Sequence, residues 1–92
     1  MWQIRGWIMT NKILVKIIVP EIDETYDLYI PINRRIGNIV SLLSKAIVDL
    51  SNDAYVVKTN SCLYNKITGE RYESNDLVRN TNIKNGAILV LL

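Results

Sequence analysis

A chain of 92 residues carrying a net charge of +2 has room for one domain built on one core. Nearly half of it is hydrophobic (49%) and 22% is charged, a balance that argues against global disorder, and so small a net charge gives no footing for nucleic-acid or membrane-surface binding. Histidine is absent and Cys62 is the single cysteine, which excludes an internal disulfide, a zinc or iron–sulfur site built on cysteines, and the commonest general base.

Residues 1–12 follow neither the helical nor the strand period. Trp2, Ile4, Trp7 and Ile8 are apolar, and Met9 ahead of Thr10-Asn11-Lys12 reads as a natural translation start. Two expectations stand open for this segment. It is an extension outside the fold, or it is an added edge strand or contact arm using the two tryptophans, which are costly to leave in water. No apolar run approaches the ~18–20 residues of a transmembrane helix, and the N-terminus lacks the core and cleavage site of a signal peptide. A cytoplasmic protein without direct membrane insertion is expected.

The domain proper is expected over residues 13–92. Ile13 to Val19, ILVKIIV, is rich in β-branched residues and is stopped by Pro20, the pattern of a buried central strand. Thr25 to Ile30 alternates, with Tyr26, Leu28 and Ile30 on one face and Asp27 and Tyr29 on the other; Pro31 ends it. The short connection predicts an antiparallel hairpin. Ile36 to Leu50 then places Ile36, Ile39, Val40, Leu43, Ile47 and Leu50 at helical spacing, widened by Leu42 and Ala46, while Asn38, Ser41, Ser44, Lys45 and Asp49 are expected to face solvent. Gly37 costs this helix roughly 1 kcal/mol relative to alanine, so packing must hold it. Asn33 is the best N-cap available. Arg34 and Arg35 read as solvated side chains paired with Asp27 or Glu24, or as a contact for an acidic partner.

Past Ser51-Asn52-Asp53 the signals shorten. Of two apolar patches, Tyr55-Val56-Val57 and Cys62-Leu63-Tyr64, the second is the better strand because it leads into a turn over Asn65 to Glu70, with Gly69 free to take a positive φ. A short strand at Arg71-Tyr72 and a helical turn at Leu77-Val78-Arg79, capped from Ser74-Asn75-Asp76, are expected next. Asn85-Gly86 signals a turn, and Ala87 to Leu92, AILVLL, is the last strand.

So hydrophobic a last strand belongs in the middle of a sheet. Placed parallel to the first strand, it buries both beneath the helix, and a right-handed crossover from the second strand through the helix to the third is allowed. The expected architecture is α+β: a β-grasp, a mixed sheet of four to five strands with one long helix across one face.

The segments ILVKIIVP, TYDLYIPINRRIGNIVSLL, LYNKITGERY and NIKNGAILVL resemble, in order, the elements of ubiquitin-like domains, and more narrowly the small bacterial YukD/EsaB proteins. The resemblance runs from Ile13 to Leu92. The extension before it, the long turn at Asn65 to Glu70, and the spacing from Leu77 to Ile83, which shifts the core position to Val78, depart from the pattern. The resemblance implies a cytosolic accessory or regulatory component of a Gram-positive type VII (ESAT-6-like) secretion system. A ubiquitin-like scaffold unrelated to secretion is the alternative.

The chemistry of modifiers and carriers is missing from the residues. Conjugation needs a flexible tail ending in Gly-Gly, whereas this sequence closes Leu89-Val90-Leu91-Leu92. Gly37 stands alone, without the glycine-rich loop of a nucleotide site. Cys62 has no histidine to activate it and reads as a buried or half-buried strand residue. Glu21/Asp23 and Glu70/Glu73 read as solvated turn charges. No catalytic constellation and no cofactor are expected, and the third reading, a modifier processed by an activating enzyme, is the weakest.

What remains is a surface. If the odd-numbered residues of the first strand face the helix, then Leu14, Lys16 and Ile18 lie on the opposite sheet face beside Ile88, Val90 and Leu92. Five of these six are apolar, where a solvated sheet face normally alternates to polar residues. The face is expected to bind a protein partner or to form a homodimer; in the competing expectation the Trp2 to Ile8 segment folds back over it.

Overall fold

The structure is a computed structural model, and it describes residues 11–92. The expected fate of residues 1–10, Trp2 to Ile8 included, lies outside the described residues.

Four strands and one long helix form in the order β1 (Lys12–Val19), β2 (Glu24–Pro31), α1 (Ile36–Leu50), β3 (Leu63–Asn65) and β4 (Ile88–Leu91). β1 begins at Lys12, one residue earlier than expected. Its β-branched run pairs antiparallel with β2 from Lys12↔Pro31 to Val19↔Glu24. A 3-10 turn at Pro20–Ile22 and a left-handed Asp23 (φ 53°) make the reversal. The strand order is β2-β1-β4-β3, so the leucine-rich last strand is interior. It lies parallel to β1, with Ile17 opposite Leu89, and antiparallel to β3, with Leu63 opposite Leu91. This is the β-grasp arrangement.

The pleat then sorts the side chains. Val15, Ile17, Val19, Leu89 and Leu91 are buried on the helix side, where they meet Ile36, Ile39, Leu43 and Ile47 of α1. Each of these aliphatic side chains, fully buried, contributes about 1.5–3 kcal/mol. Helix bounds and apolar stripe match the periodicity, with two corrections. Ser44 is buried instead of solvent-facing, while Leu42 and Leu50, counted into the stripe, stay about half exposed. The buried arc is rotated toward Ser44 because the chain from Val57 to Leu63 packs beside that flank of the helix.

The N-terminus of α1 is not capped by Asn33. Arg35 holds the cap position without a side-chain cap. Instead, the Ile36 and Gly37 amides donate to the carbonyls of Asp76 (2.8 Å) and Ser74 (3.0 Å), across forty residues of sequence. The Arg35 guanidinium also donates to the Asn75 carbonyl. The 74–76 segment therefore caps α1 with its backbone; its side chains do not cap the following 3-10 turn, Val78–Asn80. Val78 and not Leu77 fills the core, as the spacing implied.

Between α1 and β4 two tyrosines anchor irregular chain. Tyr55 is buried while its neighbours Val56 and Val57 are exposed, so that patch is no strand. Tyr72 is buried beside β3, but Arg71 contributes a single bridge to Tyr64 in place of the expected strand. Asn65 Oδ1 accepts from the amides of Ile67 and Thr68 and closes the turn in which Gly69 takes φ 75°. Gly86 takes φ 90° in the last turn, and Asn85 Oδ1 ties that turn to β1 by accepting from the Leu14 amide at 2.8 Å.

Candidate protein-docking face

Because β1 and β4 are parallel neighbours, Cα partners share a sheet face. Lys16 is opposite Ile88, and Ile18 is opposite Val90. The structure thus brings Leu14, Lys16, Ile18, Ile88 and Val90 together on the face away from α1. Leu92 joins them just beyond β4, held by reciprocal backbone hydrogen bonds with Cys62 (2.9 and 3.0 Å). The closing residues are sheet, not a loose tail. Leu14, Ile18, Ile88 and Val90 are half-buried by their neighbours, whereas Leu92 is 50% exposed.

The face is larger than these six residues. Leu14 pairs with Tyr29, so Tyr29 stands on the same side at 56% exposure; Tyr64, opposite Val90, extends it across β3. The alternation in β2 already placed Tyr29 on that side, but nothing in the sequence fixed the β3 register that brings in Tyr64. Four strands ~4.8 Å apart make a face roughly 19 Å wide that stays apolar where a solvated sheet face normally alternates to polar residues. Its one charge pair is Lys16 Nζ to Asp27 Oδ1 at 3.1 Å across β1 and β2, both partners largely exposed. Such a pair adds little stability but leaves a polar spot inside an apolar surround. It also corrects the expectation for Asp27, whose partner is Lys16 and not Arg34 or Arg35.

The remaining chemistry-bearing residues do not converge. Cys62 is half-buried, its thiol 3.7 Å from the Asn60 carbonyl, at the rim of a cavity of ≈ 210 Å³ between α1 and the 57–63 chain. Glu21, Asp23, Glu70 and Glu73 are exposed. Glu21 pairs with Lys58, and that hydrogen-bonded carboxylate holds the Lys58 ammonium above the usual lysine value. No helix among the described residues is long and apolar enough to cross a membrane.

No family model matches the sequence, and no curated protein matches it. Solved structures do match. A chain of the MycP5-free ESX-5 inner membrane complex, state II, is similar over 89% of this chain and 21% of its own length, with a TM-score of 0.73 at 12% identity. Caldiarchaeum subterraneum ubiquitin is similar over 87% of this chain and 90% of its own, with a TM-score of 0.63 at 14% identity. The chain has the ubiquitin-like β-grasp fold. A ubiquitin-like domain of an Arabidopsis thaliana protein adds a TM-score of 0.62 at 14% identity, over 89% of this chain and 77% of that one. At such identities the similarity is one of fold. The chain spans about a fifth (21%) of the ESX-5 chain it matches. Ubiquitin-like domains are generally non-catalytic, and they commonly bind proteins.

Proposed function

We propose that this protein is a non-catalytic ubiquitin-like docking module, a cytosolic accessory or regulatory component of a type VII (ESAT-6-like) secretion system, and that it acts by docking and not by conjugation. The observation that carries the docking reading is the apolar sheet face opposite α1, made by Leu14, Lys16, Ile18, Ile88, Val90 and Leu92 and widened by Tyr29. A sheet that already buries one face against a helix gains nothing in its own core from leucine and valine on the other. Contact with a partner that removes this face from water does gain, at about 25 cal/mol per Å² before the costs of association. The secretion assignment draws support from the segment resemblance and from the β-grasp chain of the ESX-5 inner membrane complex.

The test is a titration of purified cytoplasmic domains of the secretion system's membrane ATPase with the wild-type chain and with Lys16→Glu/Val90→Asp. Both substitutions lie on the outer face and leave the helix-side core untouched. Saturable binding by the wild type and at least tenfold weaker binding by the folded double variant is the expected result. Equal binding by both removes the face from the mechanism, and absence of binding by either removes the secretion assignment.

A further inference from the structure

The two edges of the sheet are unlike. The β3 edge is three residues long and is covered in part by the bridge from Tyr64 to Arg71. The β2 edge runs eight residues, Glu24–Pro31, and among the described residues only β1 pairs with it. Which of its backbone groups are free follows from the ladder. The Ile32 amide donates to the Asn11 carbonyl at 3.0 Å, which makes Asn11 and Ile32 a hydrogen-bonded pair. Antiparallel ladders alternate, so Ile30, Leu28, Tyr26 and Glu24 point their amides and carbonyls at β1. Thr25, Asp27 and Tyr29, together with the carbonyl of Pro31, point theirs outward. A bare edge of this length is a template for another strand.

The residues around the edge specify which strand. The chain entering β2 is acidic, with Asp23 and Glu24 beside the Lys58-paired Glu21, and the chain leaving it is basic, with Arg34 beside Arg35, whose guanidinium also donates to the Asn75 carbonyl. A second β2 laid antiparallel brings the acidic end of each copy against the basic end of the other, twice by symmetry; a parallel strand would set like charges together. The register follows from the side chains. Centred on Leu28, the pairing sets Leu28 opposite Leu28 and Tyr26 opposite Ile30 on the helix side, all apolar, and Asp27 opposite Tyr29 on the other. Centred on Asp27, it would set two carboxylates opposite one another, which is unfavourable. The Leu28 register also matches outward groups to outward groups, with about six hydrogen bonds between the copies once the missing Pro31 amide is discounted. Beside the edge, Leu28, Ile30 and Pro31 with Leu42 and Ala46 of α1 line an apolar groove of ≈ 180 Å³, and Leu42 is 46% exposed.

We propose that two copies of this chain associate through their β2 edges into a two-fold dimer with one continuous eight-stranded sheet, in the register centred on Leu28. This seam adjoins the outer sheet face at Asp27 and Tyr29 and leaves its β1 and β4 residues uncovered. The seam is narrow, below the ~1,200 Å² of a stable interface, so the dimer is weak and dependent on concentration.

Amide exchange of the full chain, read residue by residue from about 20 μM to about 1 mM and paired with sedimentation, tests this in the range where such weak contacts populate. The amides of Thr25, Asp27 and Tyr29 should exchange freely when dilute and become protected as the sedimentation coefficient rises, while Tyr26, Leu28 and Ile30 stay protected throughout. Arg34→Glu should weaken the dimer by roughly 3- to 30-fold, since two symmetry-related exposed pairs are lost, and Arg34→Glu/Glu24→Arg should restore it. Val90→Asp, on the outer face, should leave it unchanged. Protection of the three outward amides that does not vary with concentration overturns the proposal, because a strand of the same chain then fills the edge. So does their free exchange at every concentration, and so does self-association that Val90→Asp abolishes and the charge exchange does not affect.

Discussion

Tyr55 and Tyr72 pose the same chemical question with opposite answers. Both rings lie in the core, 2% and 6% exposed. The Tyr72 hydroxyl donates to Asn82 Oδ1 at 2.5 Å and accepts from Asn65 Nδ2 at 3.0 Å, joining the β3 turn to the approach to β4. The Tyr55 hydroxyl is buried and has no hydrogen-bond partner among the described residues. Replacing each tyrosine by phenylalanine removes one oxygen and almost no volume. At Tyr72 two hydrogen bonds of ~0.5–1.5 kcal/mol are lost, and because both asparagines can turn toward water the cost should be about 1–2 kcal/mol. At Tyr55 a buried hydroxyl that surrendered its water on folding disappears, so Tyr55→Phe should be neutral or stabilising by up to ~1–2 kcal/mol. Urea unfolding followed by far-ultraviolet circular dichroism separates the two variants. With a slope of roughly 1–1.5 kcal/mol per molar, their midpoints should differ by about 1–3 M, Tyr55→Phe unfolding at the higher urea. If Tyr55→Phe is the less stable of the pair, its hydroxyl is satisfied in solution and the reasoning fails.

Gly37→Ala should stabilise the fold by ~0.5–1 kcal/mol in the same assay, because a Cβ there meets Ser74 Cβ and its carbonyl oxygen at an ordinary 3.5 Å while the unfolded chain loses freedom; a loss of stability would show that the cap from the Ser74 carbonyl tolerates no shift. Lys58 gives a pH prediction. Its folded pKa is raised by the hydrogen-bonded Glu21 carboxylate, so its contribution to stability is fully present below the unfolded lysine value near ~10.4 and is lost as the pH rises through the folded value. Lys58→Ala should therefore lose the part of the alkaline decline that this pair supplies, and a decline identical in slope to the wild type's would reject the pair as its source.

The parts of this fold that could be read from the residues are those in which a side chain reports its own surroundings. The period from Ile36 to Leu50 gave the helix with its bounds, the alternation in β2 gave its two faces, and the hydropathy of AILVLL placed the last strand inside the sheet. The two failed caps, Asn33 for α1 and residues 74–76 for the 3-10 turn, have one cause. The α1 amides are capped by the carbonyls of Asp76 and Ser74, and a carbonyl is the same on every residue, so no composition signals it. Ser44 was misplaced because polarity decided its face, whereas burial there depends on how the 57–63 chain returns against the helix. Tyr55 and Tyr72 sit in irregular chain where neither period applies. At Tyr72 a large aromatic alone among polar residues was the available sign that such chain is pinned to the core.

The apolar outer sheet face was legible for the same reason as the core, and the β2 edge was not. Alternation along β1 and β4 divides their residues between two faces, and one face is filled by α1; what is left over on the other is visible before any contact is known. An edge is a property of strand order. Had β4 been added outside β2, the outward groups of Thr25, Asp27 and Tyr29 would be ladder bonds and the acidic and basic ends of β2 would have no one to meet. The order β2-β1-β4-β3 leaves that eight-residue row unpaired among the described residues, beside the exposed Leu42. The two surfaces meet only at Asp27 and Tyr29: a partner seated on β1 and β4 leaves the β2 backbone edge open, and a dimer through the edge doubles the outer face into one continuous platform. If dimer and partner both form, raising the protein concentration through the dimer range should tighten apparent binding of a two-site partner and leave a one-site partner unaffected.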